Sequence, residues 1–307
     1  MEYTRLERVR HAYQLCQQQR WTNVRHPSIG YTEADHQAHK LMGALLIRES
    51  LLKGRPELDA ELIASVMASA ENAYQTGDLP FLHPIPPPNP AISGMILRPA
   101  TNWSLEYEVE GLYGEDPLFP FQRALEDDET TGRARPLVSR LRNIRRWNRN
   151  YIAPRPTVMA HSFMVAYIAW LNGADTTDVK LALFHDFSES VCKDVITPTK
   201  EALGEEYIRL AARLYNSETC VVPLPIIRSV GPDVDMSRIK KYDSAAAFIE
   251  ASEGINNGCG GEELYVHAKR CLKKFNQIDV FEGEWDPVVL EKIMTYRPRH
   301  YAAYQGG

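Results

Sequence analysis

Apolar residues recur at three- and four-residue steps through most of this chain. The stretches QAHKLMGALLIRESLL, DAELIASVMASAENAY, HSFMVAYIAWL, TDVKLALFHDFSESV, EEYIRLAARLY, IKKYDSAAAFIEASE and YVHAKRCLKKF all show it. That period predicts helices with one face turned to a core. Strand-like alternation is scarce, so the expected fold class is all-α. One region interrupts the pattern. From Phe81 to about Glu129 the chain is rich in Pro, Gly and aromatics, as in FLHPIPPPNPAISG, EVEGLYGEDPLFPF and EDDETTG. Closely spaced prolines remove backbone donors and cannot continue a helix. A connection this long is unusual between helices and marks an irregular insert, with room for short strands of its own. A boundary is expected near Thr130–Arg135.

Three of the apolar faces carry polar residues where a core should be. In LALFHDFSES, His185 follows Leu181 by one turn and so points the same way, Asp186 is adjacent, and Glu189 lies one turn on. Thr176 or Thr177 is the expected cap at the start of this helix. In VMAHSFMVAYIAWLNG, His161 heads an inward stripe with Val165 and Ile168, and Gly173 is the expected stop. In RIKKYDSAAAFIEASEG, Asp243 shares a face with Ile239 and Ala246–Ala247. Each segment has a plain reading: a frayed helix end, a hydrogen-bonded core histidine, an aspartate paired with Lys240, Lys241 or an arginine of another helix. Together they place two imidazoles and two carboxylates inward on three helices. Burying such charge without a partner is costly, and a divalent cation accepts imidazole nitrogen and carboxylate oxygen together.

Composition narrows the class without changing this picture. The 307 residues suggest about two domains, or one large one, and are 44% hydrophobic and 24% charged. The net charge of -5 gives no electrostatic case for a stable nucleic-acid partner or for attachment to a membrane. Five scattered cysteines, Cys16, Cys192, Cys220, Cys259 and Cys271, form no C-x-x-C pair, which points to reduced thiols and a cytoplasmic setting. The opening MEYTRLERVR lacks the apolar core of a signal peptide, and no apolar run reaches the length of a membrane span.

The order His161, His185-Asp186, Asp243 resembles the H…HD…D signature of the HD-domain superfamily of metal-dependent phosphohydrolases. RRWN, VMAHSFMVAYIA, LALFHDFSESVCKDVITPTK and IKKYDSAAAFIEASE resemble its YfbR-like 5'-deoxynucleotidase branch in order and approximate spacing, over roughly Leu137 to Phe275. The resemblance implies an HD helical bundle. It also implies one divalent metal ion (Mn, Co, Mg, Fe or Zn) on His161, His185, Asp186 and Asp243, and a deoxynucleotide substrate. Glu189 and Asp194 match the family's catalytic carboxylates, with Cys192-Lys193 standing where its Thr-Gly pair would be. Arg146 and Trp147 match its Arg-Trp pair, the arginine for phosphate and the tryptophan near the sugar, where it helps exclude a 2'-hydroxyl. Arg145 is an adjacent alternative to Arg146, and a basic, solvated helix face remains the plain reading of RLRNIRRWNRN.

Fainter echoes stand in the first half. Arg20-Trp21 precede His36, and TGDLP at 76–80 is closer to the family's form than CKDVI; matching Asp78 to Asp194 puts Ser69-Ala70 in place of the His-Asp pair. An internal duplication and a chance echo with a plain helix stop both account for this. The expected division is a degenerate HD-like unit at 1–84, a connecting insert at 85–134 and a catalytic HD domain at 135–307. The chain would then act as a monomeric internal pseudo-dimer, or as a homodimer. The expected activity is removal of the 5'-phosphate from deoxynucleoside monophosphates. A dNTP triphosphohydrolase or pyrophosphatase and a non-catalytic nucleotide-binding protein are the alternatives.

Overall fold

The computed structural model describes residues 4–18, 32–51, 57–76, 134, 137–147, 155–195, 197–215, 226, 235–258, 261–275 and 287–297. The connecting insert expected at 85–134 falls outside the described residues apart from residue 134, as do Arg20, Trp21 and the TGDLP turn beyond Thr76. The described residues are mostly helical, and the extended pairing seen between two of them is an antiparallel bridge between Arg145 and Thr157. The fold is all-α.

The first helices are α1 (Arg5–Leu15), α2 (Glu33–Leu51) and α3 (Leu58–Thr76). A capping box starts α1: Thr4 Oγ1 accepts from the Glu7 amide while the Glu7 carboxylate accepts from the Thr4 amide. After the insert come α4 (Val158–Leu171), α5 (Thr176–Phe184), the single turn α6 (Glu189–Cys192), α7 (Thr197–Leu203) and α8 (Glu205–Tyr215). The chain closes with α9 (Ser237–Asn256), α10 (Glu262–Phe275) and α11 (Pro287–Thr295).

The centre of the molecule is α4. It is apolar on all sides, and every residue from Val158 to Ala169 is buried. A helix with no polar face must be covered all round, and α1, α2, α5 and α9 pack against it. Thr157 caps it through the Ala160 amide, and Gly173, at φ 71, turns the chain away after Asn172. The next helix begins at Thr176, and its cap stands one residue before Thr176 and two before Thr177. Asp175 in extended backbone accepts from the Asp178 amide and takes the capping place expected for Thr176 or Thr177.

One apolar core runs from Leu6 and Val9 of α1 through α2, α3 and α4 to Leu272 and Ile293 near the C-terminus. The two halves also meet through charge. Asp59 on α3 accepts from Arg48 of α2 and, at 2.7 Å, from Lys180 of α5. Glu71 on α3 accepts from Arg8 of α1 and from the Tyr167 hydroxyl of α4 at 2.6 Å. At the head of α4, Asp35 of α2 accepts from the Thr157 hydroxyl as well as from the Thr32 amide and hydroxyl. The starts of α2 and α4 therefore abut.

Candidate metal centre

His161 sits one turn into α4, where the helix is completely buried. The His185-Asp186 pair stands differently from the sequence expectation. Helix α5 ends at Phe184, and residues 185–188 form a turn before α6 begins at Glu189. The pair is thus presented from a helix end that is packed inward, not frayed: the His185 side chain is only 7% exposed. Asp243 arrives from the second turn of α9.

These side chains meet. His161, His185 and Asp186 each offer a ligand atom within 4.8 Å of the others. His185 Nε2 is 3.1 Å and His161 Nε2 is 4.0 Å from Asp186 Oδ2. Asp243 Oδ1 is 3.2 Å from His161 Nε2 and 3.9 Å from His185 Nε2. Ligand atoms about 2.1 Å from one ion lie roughly 3–4 Å from each other, so these spacings suit a single cation.

Each ring nitrogen Nδ1 is committed elsewhere. His185 Nδ1 donates to the Ala182 carbonyl at 2.7 Å, and His161 Nδ1 lies 2.7 Å from Glu250 Oε1. Both imidazoles therefore turn Nε2 toward the carboxylates. His185 Nε2 is buried with no hydrogen-bond partner, although Asp186 is near. A donor nitrogen held this way fits a cation.

The electrostatics favour added positive charge. Burial and the Arg146 guanidinium push His161 down, but Glu250 and Asp243 outweigh them and lift it to about 9. Asp186 is held well below the usual carboxylate range: burial opposes this, and His185, Arg146 and His161 overcome it. Asp243 is likewise held low against its burial by His161 and Lys240, and Lys240 also pairs with it directly. The plain pairing expected for Asp243 and its convergence with the histidines are both present.

Arg146 and Trp147 reach the same place from a different element. Arg146 donates its backbone amide to the Pro156 carbonyl, and Val158 donates to the Ile144 carbonyl, so the segment is strapped to the head of α4. Arg146 then places one nitrogen 3.4 Å from Asp186 Oδ2 and Nε 3.3 Å from Glu250 Oε2. Arg145 donates to the Arg155 carbonyl at 3.0 Å. Trp147 has φ 60, a left-handed backbone that costs a bulky residue about 1–2 kcal/mol. Its indole donates to Glu250 at 2.8 Å, and its ring meets His267 edge to face.

Glu189 is 2% exposed and has one buried carboxylate oxygen without a hydrogen-bond partner. Burial and the charge of Asp186 push it up to about 8, so it holds a proton at neutral pH. Its other oxygen is 3.2 Å from Lys200 Nζ. Asp194 is half-buried in the turn after α6, near enough for its charge to raise Glu189 further. Lys193, the departure noted in CKD, is exposed at φ 62.

Two residues here were missed from sequence. Lys200 gave no signal beyond its place in ITPTK. Glu250 did give one: it stands two turns after Asp243, on the same face of a helix whose other face residues are small and apolar.

Residues 136–212, about a quarter of the chain, match the family model described as 5'-deoxynucleotidase YfbR-like, a family of the HD superfamily. That segment carries Arg146, Trp147, His161, His185, Asp186, Glu189 and Asp194, and ends before Asp243. No curated protein and no solved structure matches the chain.

Proposed function

We propose that the chain is a metal-dependent phosphohydrolase that releases the 5'-phosphate of deoxynucleoside monophosphates. The observation that carries this reading is the convergence of two Nε2 atoms and two carboxylates beside one inward arginine. Most of those residues lie in the family-matched segment. His161, His185, Asp186 and Asp243 would hold the divalent ion. When bound, that ion supplies Lewis-acid polarisation and a lowered water pKa.

The remaining chemistry belongs to the chain. Arg146 offers a planar fork for phosphate, held ready by Glu250 and Asp186. Glu189, poised near pH 8, can take or return a proton close to neutrality. Asp194, close enough for its charge to act on Glu189, would be the second proton-handling carboxylate. Trp147 borders the sugar, as in the family this segment resembles.

In this reading residues 135–307 are the catalytic unit, 85–134 the connection and 1–84 a supporting, non-catalytic unit. The Thr-x-x-x-His start common to α2 (Thr32, His36) and α4 (Thr157, His161) supports a common origin. Expressed alone, residues 135–307 would leave α4 uncovered on its α2 side. A stable, active fragment of that length would refute the supporting role.

The test of the activity is a panel of deoxynucleoside and ribonucleoside monophosphates and dNTPs with Mn²⁺, Co²⁺ and Mg²⁺. Phosphate, pyrophosphate and triphosphate release would be scored separately. Phosphate from deoxynucleoside monophosphates is expected, and Asp186→Ala should abolish it. Triphosphate or pyrophosphate release from a dNTP would replace this reading with the second one. That second reading is favoured by Lys200 on Glu189 and Lys240 on Asp243, two cations beyond Arg146. Absence of turnover with every metal would leave a nucleotide-binding protein.

A further inference from the structure

Glu250 has no assigned part in the reaction, yet it is the most fully enclosed carboxylate of the site, with a wholly buried side chain. It lies in the alanine-rich middle of α9. A buried carboxylate is costly unless hydrogen bonds and charge compensate it. Here each oxygen has its own task. Oε1 faces His161 Nδ1 at 2.7 Å. Oε2 accepts from Trp147 Nε1 at 2.8 Å and from Arg146 Nε at 3.3 Å.

We infer that Glu250 is a positioning residue that holds His161 with Nε2 turned toward the metal and holds the Arg146–Trp147 pair against the same centre. The inference rests on the proposed metal-dependent activity. An Nδ1–H bonded to an acceptor fixes the imidazole tautomer and ring orientation and leaves Nε2 as the lone pair. His185 achieves this with a neutral carbonyl, that of Ala182. His161 has a carboxylate instead, a stronger acceptor for the Nδ1 proton. The same carboxylate ties down the element that would bind phosphate. Movement of the metal ligand and of the phosphate-binding arginine is thereby coupled through one side chain.

A purely structural role, neutralising Arg146 in the core, is the competing account, and it can be separated. In Glu250→Gln the volume is kept, but only one end of the amide accepts. If the amide oxygen turns to His161, the amide NH2 opposes two donors, Trp147 Nε1 and Arg146 Nε. If it turns to those, it opposes His161 Nδ1.

The experiment uses the full-length chain, with Co²⁺ binding measured by competition against a chromophoric chelator. Inorganic phosphate serves as a competitive inhibitor, and thermal unfolding in chelator as the fold control. E250Q is expected to fold and to bind Co²⁺ about 10–100-fold more weakly than wild type. At saturating Co²⁺, its KM and phosphate inhibition constant should rise by a larger factor than kcat falls. A folded E250Q with wild-type Co²⁺ affinity would overturn the positioning role while leaving the metal site intact. A wild-type chain that binds no Co²⁺ would overturn the proposed function and this inference together. If E250Q does not fold, Glu250→Asp keeps the charge but shortens the reach by about 1.5 Å. Weakened Co²⁺ binding is expected there too, and unchanged affinity would overturn the inference.

Discussion

At the scale of single residues, the site separates groups by what surrounds them. Asp186 and Asp243 are half-buried among His161, His185, Arg146 and Lys240 and stay ionised. Glu189, three residues from Asp186, is buried with less cationic company and keeps its proton to about pH 8. Two carboxyls pushed apart in this way suit different tasks, one for holding a cation and one for moving a proton. Glu189→Gln keeps the shape and a lysine-facing oxygen but cannot accept a proton. It should lower kcat by about 10²–10⁴-fold, with Co²⁺ binding unchanged in a direct titration. Equal loss of both would mean that Glu189 belongs with the ligands.

At the scale of elements, the position of His161 depends on how α4 starts. The Thr157 hydroxyl accepts from the Ala160 amide and donates to Asp35, so one side chain ends a helix dipole and joins two helices. Thr157→Ala removes both and should cost about 1–2 kcal/mol in urea unfolding. Asp35 itself is fully buried, and burial raises its carboxyl despite hydrogen bonds from Thr157 and Thr32. The folded state therefore holds this proton more tightly than the unfolded state. Its contribution is fully present at low pH and is lost as pH rises beyond the ordinary value of 3.8. Asp35→Asn has no such proton to lose. The stability of D35N relative to wild type should thus rise from about pH 4 to pH 7, and unfolding curves at the two pH values would check it. A constant difference would show that Asp35 titrates alike in both states.

At the scale of the whole molecule, the first-half helices serve as walls for the candidate metal centre. α4 carries a metal-ligand candidate and has no polar face, so α1 and α2 supply part of its cover. The Arg48–Asp59–Lys180 group pins α2 and α3 to α5, the helix that ends in the His-Asp pair. Arg48 and Asp59 are both buried, and removing one partner strands the other's charge. Asp59→Ala should destabilise the protein by about 3–5 kcal/mol, read from chemical unfolding. It should also weaken Co²⁺ binding, because α5 loses an anchor. Unchanged metal affinity in a folded D59A would separate the walls from the site.

What the chain determines locally could be read from it directly. The 3.6-residue period set out most of the helices, since which residues turn inward along a helix depends only on their spacing. It also marked His161, His185-Asp186 and Asp243 as inward-facing, because a polar group on an apolar face is visible without knowing what it meets. Resemblance then joined the segments into one signature, with Glu189, Asp194, Arg146 and Trp147 beside it. Tertiary structure decided the remainder. That α5 stops at Phe184 and hands an inward-packed pair to a turn was visible only in the folded chain, since local periodicity carries no such information. Asp175, in extended backbone, took the cap in place of Thr176 or Thr177, a choice among three capable side chains that the sequence leaves open. Glu250 had the spacing of a site residue but no meaning until α4, α9 and the Arg146–Trp147 strap converged on it. Its partners lie 89 to 104 positions away in the chain, and only packing brings hydrogen-bond donors that distant to one carboxylate.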